Sequence, residues 1–296
     1  MVNPASGLGR AGGLADSVRR RLSARAEVAV FAGTSAHESQ QLLHSVAGRY
    51  DAVAVLGGDG VVHLALQALA GGDTPLAIIP AGTGNDVADT LGLPGDPYAA
   101  TDAVLAALDA SSVRTIDLGR TDTGRWWATI LCAGFDSAVN ERANRMRWPR
   151  GPRRYDLAIV AEMARLRTRP FVVRLDDAER DVHATLVAVG NAPQYGGGKM
   201  MTPHGRMDDG RFAVTVVGPV NRRTLARIAP KLPHAGHIGH PSVSTFDACV
   251  VTLDAPDTIA YADGERIGPL PVTTTCMPSA LGVLVPPGLV GRGLGG

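Results

Sequence analysis

Two rhythms of apolar residues run through the first part of the chain. Three short, nearly continuous apolar runs, "EVAVF" from Glu27, "DAVAVL" from Asp51 and "PLAIIP" from Pro75, have the length and texture of buried parallel strands. Longer stretches with helical spacing lie around them: Gly13 to Ala24, Ser35 to Arg49 with Ser35 or His37 near its start, Val61 to Gly71, and Asp96 to Ala110. The third is apolar almost all round, which predicts a well-buried helix. The fourth begins with Asp96 as N-cap and Pro97 at the first helical position. Strand alternating with helix predicts a doubly wound, mostly parallel sheet with helices on both faces. Only Met1 and Val2 stand where a first strand would lie, so either the natural start lies upstream or this edge is truncated.

From Arg114 the texture changes. "VRTIDLGRTDTGRWWATILCAGFD" predicts two strands around a glycine-containing hairpin, followed by helices from Ser137 to Arg147 and from Pro152 to Arg167. "FVVRL", "HATLVAVGNA", "RFAVTVV", "ACVVTLD", "TIAYADGE" and "PVTTTC" then read as strands, with one helix from Arg222 to Lys231. The second half is therefore mainly β and antiparallel. The expected division is an α/β domain over 1–118 and a mainly β domain over 119–280, with the C-terminal stretch 281–296 returning to the first.

In such parallel sheets ligands bind beyond the carboxyl ends of the strands. Three glycine-bearing turns lie at such ends: "NPASG" from Asn3, "GGDG" from Gly57 and "PAGTGND" from Pro80. Glycine lets a phosphate approach backbone N–H groups, and a following helix adds its N-terminal dipole. A carboxylate such as Asp59 would repel phosphate unless it holds a cation or accepts a proton. Thr83 can donate to a phosphate oxygen, and Asn85 and Asp86 can read a ribose or adenine edge. Each turn alone is also a common tight turn; their succession after buried strands favours a nucleotide site. In the second half, "YADGERI" sets Asp263 and Glu265 around a glycine, and "MDDGRF" places Asp209 in an acidic turn that could bind a hard cation with backbone carbonyls. Both have a simple β-turn as the bland reading.

Composition narrows the partners. The 296 residues are 45% hydrophobic, enough for one large domain or two ordinary ones, and the formal net charge of +1 offers no field for nucleic acid. Cys132, Cys249 and Cys276 are far apart in apolar settings and are expected to be buried thiols of a reducing cytosol. His234, His237 and His240 are spaced among glycines and prolines and do not suit a zinc site. No stretch approaches the ~18 apolar residues of a membrane span, and no secretory signal opens the chain. The expected location is cytoplasmic, transiently peripheral to the inner leaflet. The run "RANRMRWPRGPRR", with Met146 and Trp148 among arginines, is either a solvated helical face or a surface for anionic headgroups.

Taken together, "NPASG", "GGDG", "PAGTGND", "IDLG", "GNAPQYGGG", "DDG" and "DGE", in this order along nearly the whole chain, resemble the diacylglycerol kinase catalytic-domain family. These are soluble bacterial lipid kinases related to sphingosine kinases and, more distantly, to NAD kinases and phosphofructokinases. The resemblance implies an NAD kinase-like nucleotide domain and a β-sandwich-like domain. It implies ATP surrounded by Asn3, Pro4, Ala5, Ser6, Gly7, Thr34, Gly57, Gly58, Gly60, Val61, Val62, His63, Leu64, Gly82, Thr83 and Asn85. Asp59 would sit at the triphosphate and Mg2+, linked by water to Asp86 and Asp117. Glu265 would be the base, with Asp59 its rival; replacing either by Ala is expected to remove most turnover with little loss of folding. Asp209 with the carbonyls of Arg206 and Arg211 would hold a second, structural Mg2+. The partner implied is a lipid at the membrane surface, and a homodimer is compatible with the sequence. Val61, His63 and Leu64 depart from the family's usual Thr and Asn-Glu, and Leu8 replaces a common basic residue. The alternatives are an NAD-kinase-like enzyme with a soluble acceptor and a lipid-binding protein with a weakened site.

Overall fold

A computed structural model describes Met1, 10–146, Trp148 and 153–290. The chain divides into two compact units. The first comprises Met1–Leu118, Met207–Asp209 and Met277–Gly296, and the second Gly119–Arg206 and Gly210–Cys276. The short insert Met207–Asp209 joins the first unit, a membership that apolar pattern alone does not reveal.

The first unit contains helices α1 (Arg10–Leu22) and α2 (Ala36–Val46), strand β1 (Val53–Gly57), helix α3 (Asp59–Leu69), strand β2 (Leu76–Pro80), helices α4 (Asp86–Thr90) and α5 (Pro97–Asp109), and the beginning of β3 (Val113–Thr121). β1 and β2 run parallel in register from Val53 opposite Leu76 to Gly57 opposite Pro80. The last strand, β14 (Val272–Leu284), lies parallel to β2 through Val283 opposite Leu76. Leu56, Ala77, Ile79 and Leu284 share a core with Val18, Leu22, Ala100 and Val104 of α1 and α5. Asp96 caps α5 as its sequence predicts, accepting N–H groups from Tyr98 and Ala99. Ser35 caps α2.

Residues 27–31, predicted as a strand, are not in one. A strand needs a hydrogen-bonded neighbour. On the edge of β1 not taken by β2, the Met1 amino group donates to the Ala54 carbonyl at 2.6 Å and the Met1 carbonyl accepts from Leu56 at 2.9 Å. Val28, Val30 and Phe31 instead line an apolar hollow of about 150 Å³ together with Leu22, Val53 and Leu56.

The second unit holds β4 (Trp126–Trp127), β5 (Ile130–Gly134), α6 (Phe135–Arg145), α7 (Arg153–Ala164), β6 (Arg169–Leu175), β7 (Ala178–Ala184), β8 (Leu186–Gly190), β9 (Phe212–Val217), α8 (Arg222–Ile228), β10 (Val243–Ala248), β11 (Val250–Asp254), β12 (Ile259–Ala262) and β13 (Glu265–Pro269). One antiparallel sheet has the order β10-β9-β8-β5-β12-β13. Facing it, the start of β14 pairs with β11, β11 with β6, and β6 with β7. Phe171, Val173, Val251 and Leu253 from one sheet meet Leu131, Val187, Val189 and Val214 from the other in a single core. This is the sandwich expected of the second half.

Three details differ from the apolar pattern. The predicted single strand "HATLVAVGNA" changes sheets at Thr185, whose N–H and hydroxyl are taken by Val217 and Gly218 carbonyls. β10 and β13 were not legible because their side chains are largely exposed and show no apolar alternation. Cys132 and Cys276 are buried, but Cys249 is exposed, at the corner between β10 and β11.

Trp127 is the anchor of the sandwich. Its ring stacks on Phe212 at 5.0 Å between centroids, and its Nε1 donates to Thr274 Oγ1 at 2.9 Å. A Cβ on Gly119 would lie 2.0 Å from the same ring, which accounts for the glycine of "IDLG". Trp127→Ala is expected to destabilise the protein by about 3–5 kcal/mol in a denaturant titration. A loss below about 1 kcal/mol would show that the ring is not a core anchor.

Candidate active site

In the first unit the two glycine turns after β1 and β2 are joined by one carboxylate. Asp59 Oδ2 accepts the Asn85 N–H at 2.8 Å and Asp59 Oδ1 accepts the Asp86 N–H at 2.7 Å. Asn85 stands in the left-handed region (φ 63°), which its short side chain tolerates. Its Oδ1 accepts the Gly82 N–H at 3.1 Å, so the amide secures its own loop and is not held out to read a base or ribose. The turns approach so closely that a Cβ on Gly82 would lie 2.5 Å from Gly58 Cα. One on Gly84 would lie 2.4 Å from Asp59 Oδ2 and 3.9 Å from Asp86 Oδ2. The Asp59 and Asp86 carboxylates thus flank one backbone segment. Burial, and next the Asp86 charge, hold the Asp89 carboxyl above the ordinary carboxylate range.

Gly60 is different. A Cβ there would meet nothing within 4 Å, so packing does not call for glycine at this position. Gly60 lies in the first turn of α3, where unpaired N–H groups and the helix dipole favour an anion. A missing side chain at such a place suits close approach by a phosphate. Oxygen donors on Asp59 and Asp86 suit a hard cation next to it. The residues present therefore fit a magnesium nucleotide.

The other predicted contacts fall as follows. Thr83 is exposed on the second turn. Val61, Val62 and His63 have buried side chains, and the Val61 and Val62 N–H groups both reach the Gly58 carbonyl, so these residues build the helix start without facing outward. Leu64 is half-buried. Both the N–H and the hydroxyl of Thr34 donate to Glu38, which ties Thr34 to the α2 cap. Asp117 is buried; its Oδ1 accepts the Ser279 N–H at 2.8 Å, and its own N–H donates to Met207 at 2.7 Å. Asn3, Pro4, Ala5, Ser6 and Gly7 lie outside the described residues. Asp209 belongs to the first unit, whereas Arg206 and Arg211 belong to the second. No cluster of three or more His, Cys, Asp or Glu gathers as a metal site among the described residues.

In the second unit, Asp263 and Gly264 have φ of 51° and 80° and form the two-residue turn between β12 and β13. The Asp263 carboxylate accepts N–H groups from Ala128 and Thr129 and the Thr129 hydroxyl, all within 2.8 Å. Ala128 and Thr129 also bind the "GNA" segment: Asn191 Nδ2 donates to the Ala128 carbonyl, and the Asn191 and Ala192 N–H groups reach Thr129. Glu265 follows this pinned turn as the exposed first residue of β13. Its carboxylate therefore sits on a fixed backbone and remains open to solvent.

Comparison with known proteins decides the family. Residues 1–121 match the diacylglycerol kinase catalytic domain, and residues 129–285 match the YegS C-terminal NAD kinase beta sandwich-like domain. A diacylglycerol kinase of Mycobacterium tuberculosis is 44% identical over 97% of this chain and 94% of its own length. The chain belongs to the diacylglycerol kinase family.

This makes it a lipid kinase by relationship. A probable lipid kinase YegS-like of Stenotrophomonas maltophilia shares 26% identity over 80% of each chain. In fold, the lipid kinase resembles a diacylglycerol kinase crystal structure from Bacillus anthracis (TM-score 0.75, 20% identity, covering 98% of this chain and 96% of that one). It also resembles an NAD kinase from Archaeoglobus fulgidus in complex with ATP (TM-score 0.58, 12% identity, covering 97% and 93%).

Two polar contacts of this family member were missed from sequence, one in each unit. Ser279 has φ 51°, an unusual value for a non-glycine residue, and aims its N–H at Asp117. Asp136 is half-buried and accepts the Tyr195 hydroxyl, and its desolvation holds its carboxyl above the usual range. "GFD" gave no signal beyond a helix start, and "PSA" none at all.

The paired N–H bonds change what is expected of one substitution. Asp59→Ala leaves two backbone donors without their acceptor, so it should cost stability as well as turnover. The expected loss is about 1–3 kcal/mol in chemical denaturation. An unchanged unfolding midpoint would show that the two turns do not depend on this carboxylate.

Proposed function

We propose that the protein transfers the γ-phosphate of ATP to the hydroxyl of diacylglycerol, or of a lipid like it, giving phosphatidic acid. The observation that carries this reading is the pair of turns clasped by Asp59, with Gly60 left bare at the start of α3. Such a turn offers backbone N–H groups to phosphate oxygens. The ATP named with the similarly folded NAD kinase supports the same donor.

Mg2+ would be held by carboxylate oxygens of Asp59 and Asp86, and a second one by Asp209 with the carbonyls of Arg206 and Arg211; when bound it neutralises phosphate charge. The chain's own groups do the rest. Backbone N–H groups of the two turns position the triphosphate. The lipid hydroxyl oxygen forms the new bond to the γ-phosphorus as the bond to the bridging oxygen breaks, and ADP leaves with that electron pair. Glu265 accepts the hydroxyl proton. Asp59 is the weaker candidate for base, because both its oxygens already accept backbone N–H groups.

Glu265→Gln keeps size and shape but removes the basic oxygen. Turnover should fall about 10²–10⁴-fold, with an unchanged melting temperature, since Glu265 is exposed. A near-normal rate would remove Glu265 from this role. The acceptor is tested with ATP labelled on its γ-phosphate and detergent micelles of diacylglycerol, monoacylglycerol, a sphingoid base or ceramide, with NAD in parallel. Label in phosphatidic acid is the expected result. Label in NADP alone would contradict the lipid acceptor.

A further inference from the structure

Helices α6 and α7 pack against each other within the second unit. Val139 and Ala143 of α6 and Ala158 of α7 are buried between them, with Tyr155 and Ile159 alongside, and Arg142 is paired with Glu162 at 2.5 Å. That contact uses one face of α7. The opposite face of such a helix is ordinarily polar. Here it carries Leu157, 47% exposed, and Val160, 64% exposed, followed one turn later by exposed Ala164. Trp148, between the two helices in sequence, is 80% exposed, the highest among the exposed large apolar side chains of the described residues. Three of the nine such residues thus fall between 148 and 160, which separates this face from scattered surface apolar residues.

The charges around this face are mainly basic. Arg153 opens α7, and Arg165 and Arg167 follow its end; all three are exposed and carry no ion pair among the described residues. The exposed acid on the helix is Asp156, in the first turn, where the helix dipole accommodates it. An apolar stripe with arginines at both ends, and an exposed indole a few residues before it in sequence, matches a bilayer surface: acyl boundary for the stripe, lipid phosphates for the guanidinium groups.

We infer that the outer face of α7, together with Trp148, docks the protein on an anionic phospholipid bilayer. Trp148, Leu157 and Val160 enter the headgroup boundary, and Arg153, Arg165 and Arg167 meet the lipid phosphates. The inference rests on the lipid-kinase reading for its purpose, because an acceptor dissolved in a membrane must be met there.

The test separates docking from chemistry. Wild type and the triple variant Trp148→Ser, Leu157→Gln, Val160→Gln are sedimented with vesicles of phosphatidylcholine, with and without phosphatidylglycerol. Both are also assayed on short-chain diacylglycerol dissolved as monomers. Wild type should bind vesicles containing phosphatidylglycerol and release them at high salt. The variant should bind about tenfold or more weakly, with an unchanged melting temperature and turnover on the monomeric lipid within about twofold of wild type. Equal vesicle binding by the two proteins, or equal binding of wild type to both vesicle types, would overturn the inference. So would a variant that loses self-association instead of vesicle binding, since the face would then be an interface between copies. Absence of wild-type turnover on the monomeric lipid would count against the kinase reading, and vesicle binding would still decide the docking face.

Discussion

The site in the first unit depends on one carboxylate that accepts two backbone N–H groups. Asp59 takes those of Asn85 and Asp86, and so fixes the turn after β2 to the turn after β1. Hydrogen bonds to a carboxylate are stronger than neutral ones, and two to the same group define an orientation as well as a distance. The glycines follow from this clasp. Gly58, Gly82 and Gly84 lie so close to opposing atoms that a side chain at any of them would force the turns apart. Gly60 alone among these four is unconstrained by packing, and it lies where a phosphate would approach α3.

The second unit repeats the device with different residues. Asp263 accepts the N–H groups of Ala128 and Thr129, and thereby anchors the turn from which Glu265 projects. Asp176 likewise accepts the Cys249 and Val250 N–H groups at another corner of the sandwich. In each case one acid is committed to geometry. Glu265, by contrast, is exposed, so substitutions at the pinned acids and at Glu265 should have different consequences for folding.

Much of the first unit was legible because its strands are short buried runs and its helices carry recognisable caps such as Asp96 and Ser35. The segment 27–31 was misread because a strand is defined by a partner, and sequence pattern reports only the apolar run. β10 and β13 were missed for the opposite reason: they have partners, but no apolar alternation. At the site, the order of the glycine turns pointed to phosphate. What remained hidden was the direction of the polar side chains. Asn85 and Thr34 look available in sequence, yet they are held by their own loop and by the α2 cap. Ser279 carried no signal, since its contribution is a backbone N–H presented through an uncommon φ.

The Asp59 carboxylate holds the two glycine turns together through the Asn85 and Asp86 N–H groups. Amide hydrogen exchange at Asn85 and Asp86 tests this most directly, read in the protein alone and then with ATP and Mg2+. Both amides should be protected in the free protein, lose that protection in Asp59→Ala, and gain a further increment with the nucleotide, together with the amide of Gly60. Exchange at Asn85 and Asp86 as fast as in an open loop, in a protein otherwise folded, would contradict the account.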